Sequence, residues 1–309
     1  MPGLLLSLAC APAPVATEAV AGASARPGTP TPVGPTSEAT ATPTPSGDGA
    51  AAAPESPPFT AEPLAPGFEF GHYRLPTPSR LGPGQVDFLR LDPQHVNFEV
   101  RAASFSGGQL RPASGWATEE GSATAVGVIN SSMFQGDWLR SVGFLEVHGR
   151  VQNARWAEQQ NSLLVFDPVA KGRGARVLNL GCSNREEVSS QWGTAVQSIR
   201  MLGCDGAVVW AQSEREWSSA ILGEDKEGRI LFLHTRAPYS MHDLARMLVE
   251  SPLHPVALHY AEGGPEASLY VRGPGVEEKL VGSYETGFRA DDGNAEEWDL
   301  PNVVVARAR

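Results

Sequence analysis

The chain has only three cysteines in 309 residues, 7% aromatics and no cluster of lysine and arginine. Each shortage narrows what it can do. Without a basic patch, and with a formal net charge of −11, it offers little to a phosphate backbone, which argues against a nucleic-acid partner. Neither Cys182 nor Cys204 belongs to a CxxC pair, so no metal is assigned to them. There is no P-loop and no HExxH, and Gly172-Arg173-Gly174 lacks the third glycine of a dinucleotide fingerprint. His254 and His259 stand five apart, which does not set them on one helical face. A G-x-S-x-G elbow is also missing. No cofactor is expected.

What is present divides the chain in three. Residues 1–10 end in Leu4-Leu5-Leu6-Ser7-Leu8-Ala9-Cys10, an apolar run too short to span a bilayer. It fits the end of a signal peptide, with Cys10 placed as the lipidated residue of a bacterial lipobox. Residues 11–66 are almost all Ala, Pro, Thr, Gly, Ser and Glu. Such a segment has too little apolar surface to offset its ordering entropy, and reads as a disordered tether. Residues 67–309 remain as a single folded domain. The expected location is outside the cytoplasm, anchored to a membrane by lipid and facing the periplasm or outer membrane. That compartment permits a Cys182–Cys204 disulfide, though spacing alone leaves two free thiols equally open.

Within the folded part, Val86–Leu91 and Asn97–Arg101 alternate with period two. Continuous apolar runs at Thr124–Ile129, Leu163–Phe166, Ala207–Ala211, Ile230–Leu233 and Val303–Ala306 suit strands buried on both faces. Two helices are expected. One is short and capped by Ser114, running through Trp116 to Glu119. The other starts at Ser240, whose partner three residues on is Asp243, and carries Met241, Leu244, Ala245 and Leu248 as an apolar stripe. It lies between the strand-like Ile230–Leu233 and Val256–Tyr260, which suggests one crossover unit. The expected class is α+β, a large mixed sheet with a few helices.

Three stretches carry polar groups at strand ends, where sheet proteins tend to seat ligands. The first is Val128-Ile129-Asn130-Ser131-Ser132-Met133-Phe134. The second is Ser218-Ser219-Ala220-Ile221-Leu222-Gly223, followed by a turn at Lys226-Glu227-Gly228. The third is Tyr260-Ala261-Glu262-Gly263-Gly264, followed by Ser268. Two glycines after an acid permit positive φ and a close backbone approach to a ligand. In this order, with a helix between the second and third, the stretches resemble the phosphodiester glycosidase family over roughly residues 85–307, including its bacterial, exopolysaccharide-associated branch.

The resemblance implies a sugar-phosphodiester substrate and assigns Glu262 to catalysis. It gives Asn130, Phe134, Gly263, Gly264, Ser268 and Ser219 to substrate binding, and Phe134 or Trp138 to stacking on a sugar face. Glycosidic cleavage commonly uses two carboxyls. Candidates for the second are Asp225, Glu224 and Glu266. There are departures from the family. Its Asp is Glu262 here, one bond of about 1.5 Å longer. Its Arg before the Ala-Ile-Gly strand is Ser218, and its Asn two residues before the acid is Tyr260. The expected function is therefore hydrolysis of a sugar-1-phosphodiester or related glycan bond. The alternative is an inactive glycan-binding or envelope-assembly protein on the same fold. A metal-dependent phosphodiesterase with oxygen ligands from Asp225, Glu262, Asp291 and Asp292 is a third class, unsupported by ligand spacing.

Overall fold

The computed structural model describes residues 58–118, 123–170, 172 and 174–309. Cys10, residues 11–57 of the expected tether, and Glu119 at the end of the first expected helix lie outside the described residues. In chain order the first strands are β1 (Phe59–Ala65), β2 (Phe68–Arg74), β3 (Gln85–Leu91), β4 (Val96–Ala102), β5 (Val126–Asn130), β6 (Leu145–Val147), β7 (Arg150–Asn153) and β8 (Ser162–Pro168). They are followed by β9 (Ala175–Asn179), β10 (Trp192–Arg200), β11 (Trp217–Asp225), β12 (Ile230–Tyr239), β13 (Pro255–Gly263), β14 (Ser268–Gly273), β15 (Val276–Val281) and β16 (Asn302–Ala308). The α-helices are α1 (Ala113–Ala117), α2 (Arg185–Gln191) and α3 (Met241–Val249).

The strands form two sheets. The larger runs β1-β2-β3-β12-β11-β13-β10-β6-β7, with β8 pairing β10 and β9, and the smaller runs β15-β14-β5-β16-β4. Their inner faces share one core, in which Leu89, Leu222 and Phe232 of the larger sheet meet Ile129, Leu269 and Val304 of the smaller. Helix α3 covers the outer face of the larger sheet through Met241, Leu244, Ala245 and Leu248 against Ile221, Leu231, Leu233 and Leu258. Helix α1 covers the smaller sheet, with Trp116 packed on Val128, Val303 and Val305. Strands sandwiched in this way are apolar on both sides, which is why β5 and β12 read as unbroken apolar runs. Fully burying one such Leu or Ile contributes about 1.5–3 kcal/mol.

The class needs correction. Helix is confined to short pieces, so the domain is sheet-dominated rather than α+β. The large sheet is not mixed either, because every described strand pairing is antiparallel. The crossover β12–α3–β13 explains how. It lands one strand away, with β11 between and antiparallel to both.

Other expectations change locally. Phe59–Ala65, read as tether, is an edge strand. Phe59 stacks on Phe88 with ring centroids 5.3 Å apart, Leu64 is buried, and Pro63 sits where the register shifts. Ala207–Ala211 is a loop with one isolated bridge, Leu202 to Val208, and not a strand. Ser114 does not cap α1 but lies inside it. Glu297 takes that part, accepting from the Ser114 N–H at 2.9 Å and its hydroxyl at 2.7 Å. Helix α3 forms as its sequence dictates, with the Ser240 hydroxyl oxygen accepting from the Asp243 N–H at 3.2 Å. Cys182 and Cys204 are joined in a disulfide, Cα to Cα 6.1 Å.

Candidate active site

Near its end, β13 fits an extra residue opposite β11. Ala220 pairs with Glu262 while Ile221 pairs with Tyr260, which leaves Ala261 as a bulge. Bulges re-aim the residues that follow them, and they recur beside active sites. Here the chain then closes into a single 3₁₀ turn, Gly264–Glu266, before β14 starts at Ser268. Gly264 has φ +67°, a conformation that glycine adopts without strain. A Cβ on Gly263 would strike the Tyr260 hydroxyl and the Trp217 ring.

Asn130, buried at the end of β5, pins this turn from below. Its amide nitrogen donates to the Glu266 carbonyl at 3.0 Å, and its oxygen accepts from the Ser268 N–H at 2.8 Å. Ser268 is also buried and donates to the Glu266 carbonyl at 3.2 Å. Both side chains, expected to touch substrate, are spent on holding the turn.

A third glutamate, Glu285, arrives from a distant segment zipped onto the start of β11. Trp217 and Glu285 form a bridge, and the Ser218 N–H donates to the Tyr284 carbonyl at 2.9 Å. The Ser218 hydroxyl accepts from Ser283 and Tyr284 N–H groups at 2.9 and 3.2 Å and donates to the Arg236 carbonyl at 2.6 Å. Ser218 is therefore a buried clasp that positions Glu285. At the point where a Cβ on Gly264 would stand, Oε2 of Glu285 is 2.7 Å away and Oε2 of Glu266 is 3.5 Å away. The two carboxyls meet over the bare Cα of Gly264.

Aromatic side chains flank the acids. Trp210, Trp217 and Tyr260 form a triad with centroids 5.5, 6.2 and 6.3 Å apart, and the exposed Arg215 guanidinium stands 6.0 Å from the Trp217 ring centre. Burial, then the charges of Glu266 and Glu285, push the Glu262 carboxyl well above the usual carboxylate range, against the Gly263 N–H that favours its ionised form. Glu266 is pushed up to about 7, first by burial and also by Glu285. Burial raises Glu285 too, opposed by Arg215. Neighbouring carboxyls of this kind titrate as a set.

The remaining expected site residues lie elsewhere. Asp225 is five residues along β11 from Ala220, the partner of Glu262, or about 16 Å at about 3.3 Å per residue. It is buried, ion-paired to Arg229 at 2.7 Å, and accepts N–H groups of Glu227 and Arg229 at 3.0 and 2.9 Å. It shapes the hairpin turn at Lys226-Glu227-Gly228. Glu224 is equally occupied, by Arg176 at 2.7 Å and the Val177 N–H at 2.9 Å. Both lie at the far end of β11 from the residue paired with Glu262. Ser219 is buried with its hydroxyl 3.6 Å from the Met241 sulfur, under α3. Phe134 packs on Trp138 at 4.9 Å in the loop after β5. Asp292 is held by Arg236 at 2.8 Å, and the Asp291 carboxylate accepts the Gly293 N–H at 2.7 Å. Among the described residues no three His, Cys, Asp or Glu side chains are arranged to hold a metal ion. A cleft of about 410 Å³ lies away from the acids, between β4 and strands β6, β8 and β10, and includes Phe98, Phe105, Arg150 and Asp167. None of Glu262, Glu266 and Glu285 lines it.

Sequence reasoning missed Glu285 as well as the aromatic triad, and counted Glu266 only as one alternative. Glu285 stands in Ser-Tyr-Glu-Thr-Gly without periodicity or a flanking motif. Only the long-range pairing to 216–218 brings it to the site.

Carboxyls with raised proton affinity are suited to moving protons, and the flat aromatic faces beside them are suited to packing on a ring. The chain belongs to the phosphodiester glycosidase family, whose model matches residues 123–307, more than half of it. Membership implies a glycan or sugar-phosphodiester substrate. A solved Synechocystis protein has the same fold at a TM-score of 0.54 with 10% identity, the match covering 82% of this chain and 64% of that one. A zebrafish N-acetylglucosamine-1-phosphodiester alpha-N-acetylglucosaminidase catalytic domain is 12% identical, covering 83% of this chain and 85% of its own, at a TM-score of 0.48. A search of curated proteins returns no match.

Proposed function

We propose that this protein hydrolyses the bond between a sugar's anomeric carbon and a phosphodiester oxygen, or a related glycan bond, at the cluster of Glu262, Glu266 and Glu285. The observation that carries the reading is the meeting of these carboxyls, none of which forms an ion pair with arginine or lysine among the described residues, unlike Asp225 and Glu224 on β11. Burying carboxyls against one another costs stability, which a purely structural turn has no use for. Glu266, titrating at about 7, is matched to giving and taking a proton near neutrality. Burial holds the Glu262 carboxyl toward its protonated form, the form that can donate a hydrogen bond to substrate oxygen. A phosphodiester is a weakly basic leaving group, so Glu266 matters less for it than for an alcohol. Trp217 or Trp210, both partly exposed, offers a face for the sugar ring.

We also propose that the protein acts outside the cytoplasm, tethered through a lipid on Cys10. The disulfide supports an oxidising compartment, and no described helix is long and apolar enough to cross a membrane. The test of function is to offer the full chain a panel of sugar-1-phosphodiesters and measure release of free sugar. Turnover that disappears in the Glu262→Gln/Glu266→Gln pair supports the reading. Glycan binding without turnover of any member overturns it in favour of a binding protein.

A further inference from the structure

We propose that Glu285 is the nucleophile of this site, and that hydrolysis proceeds with retention of configuration at the anomeric carbon. The inference rests on the glycosidase reading above.

With Oε2 of Glu285 at 2.7 Å and Oε2 of Glu266 at 3.5 Å from a single point above Gly264, the two oxygens are no farther apart than those distances laid end to end. That ceiling falls below the separation of about 6.5–9.5 Å that inverting glycosidases use to fit a water between acid and base. It admits the spacing of about 5–5.5 Å at which the second carboxylate itself reaches the anomeric carbon. Gly264 makes the approach possible, since any side chain there would crowd Glu285.

The pair is also unequal in the way two roles require. Burial raises the Glu285 carboxyl, and Arg215 is the cation whose field opposes that and favours its ionised form. No cation is among the causes acting on Glu266. Glu285 is held firmly, its N–H donating to the Arg289 carbonyl at 2.8 Å and its carbonyl accepting from the Arg289 N–H at 2.9 Å. It remains partly exposed, so its carboxylate is within reach of a ligand.

In the first step a Glu285 oxygen bonds to the anomeric carbon. The bond from that carbon to the leaving oxygen breaks, and the leaving group departs with the electron pair. Glu266 gives its proton to that group or, where a phosphodiester leaves without one, loses it to solvent. In the second step water attacks the same carbon and gives its proton to the ionised Glu266, and the ester to Glu285 breaks and restores the carboxylate. Two displacements on one carbon return the original configuration.

The experiment follows the anomer first formed by proton NMR during hydrolysis of a sugar-1-phosphodiester by the full chain. Two further measurements accompany it. One is azide rescue of Glu285→Ala, and the other is mass analysis after reaction with a 2-deoxy-2-fluoro sugar carrying a good leaving group. Retention is expected, with a sugar adduct on the Glu285 peptide. Glu285→Ala is expected to lose activity about 10²-fold or more and to regain it with azide, forming a glycosyl azide of opposite configuration. Rescue also shows that the variant is folded. Release of the opposite anomer overturns the inference alone. Retention with no adduct and no azide effect also overturns it, since a group on the substrate would then be the nucleophile. Absence of turnover on every substrate removes the glycosidase reading, and this inference with it.

Discussion

Strands β11 and β13 run side by side and carry acids at both ends, yet the two ends behave oppositely. At the Asp225 end each carboxylate is answered: Asp225 by Arg229 and two N–H groups, Glu224 by Arg176 and the Val177 N–H. At the Glu262 end, Glu262, Glu266 and Glu285 face one another, and burial drives all three toward their protonated forms. The residue types are the same and the roles differ. Paired acids lock a hairpin, while mutually opposed acids have their proton affinity raised. Removing a carboxylate should therefore cost stability at one end and activity at the other.

The largest effect is expected from Glu266→Gln. For a sugar with an alcohol leaving group, kcat/KM should fall by about 10²–10⁴, and by much less for a phosphodiester leaving group. In the wild type, activity needing protonated Glu266 should fall as pH rises through about 7, and this limb should vanish in the variant. An unchanged limb at that pH would assign the acid to another group.

Next in size is stability, read by denaturant unfolding. Asp225→Asn should destabilise by about 1–3 kcal/mol, because the buried carboxylate that accepts from Glu227 and Arg229 is lost while Arg229 keeps Glu227, and leave kcat near wild type. Glu266→Gln should go the other way. A carboxyl whose folded-state affinity for protons is raised adds stability below its unfolded pKa, and that stability is lost as pH rises through the folded value. Above about pH 7 the ionised Glu266 is a burden, and Gln should stabilise the protein there by about 1–3 kcal/mol, with little gain at pH 4. Loss of stability on both substitutions would erase the contrast between the two ends.

An effect no larger than these is expected at Asn130. Its amide holds the Glu266 turn by two buried hydrogen bonds, so Asn130→Ala should cost about 1–3 kcal/mol. It should lower kcat more than it raises KM, since Asn130 places Glu266 rather than touching substrate. A pure KM effect would return Asn130 to the substrate.

What the sequence makes legible is what is local. The Ser240–Asp243 cap and the stripe from Met241 to Leu248 specify α3 within one short segment. The apolar runs of β5 and β12 announce strands covered on both faces. Glu262-Gly263-Gly264 is readable as an acid on a tight turn because Gly264 adopts a backbone conformation that marks such turns. The order of motifs, rather than any one of them, identifies the family. Features set by register are not legible. Asp225 sits in a promising stretch, but antiparallel pairing carries it to the far end of the strand. Ala207–Ala211 is apolar enough for a strand yet pairs only at one bridge. Phe59–Ala65 has the composition of a tether, and becomes a strand because Phe88 and the core receive Phe59 and Leu64. Glu285 is brought in by a clasp at Ser218 that no local pattern announces.

The central claim is that chemistry resides at the Glu262 end, and it is tested most directly by assaying Glu262→Leu, which cannot donate, beside Asp225→Asn on one sugar-1-phosphodiester, with a melting curve for each. The expected result is a loss of about 10²-fold or more for Glu262→Leu with its melting temperature kept or raised, and near-normal kcat for Asp225→Asn with its melting temperature lowered. Full activity in Glu262→Leu, or its loss in a still-folded Asp225→Asn, would contradict the account.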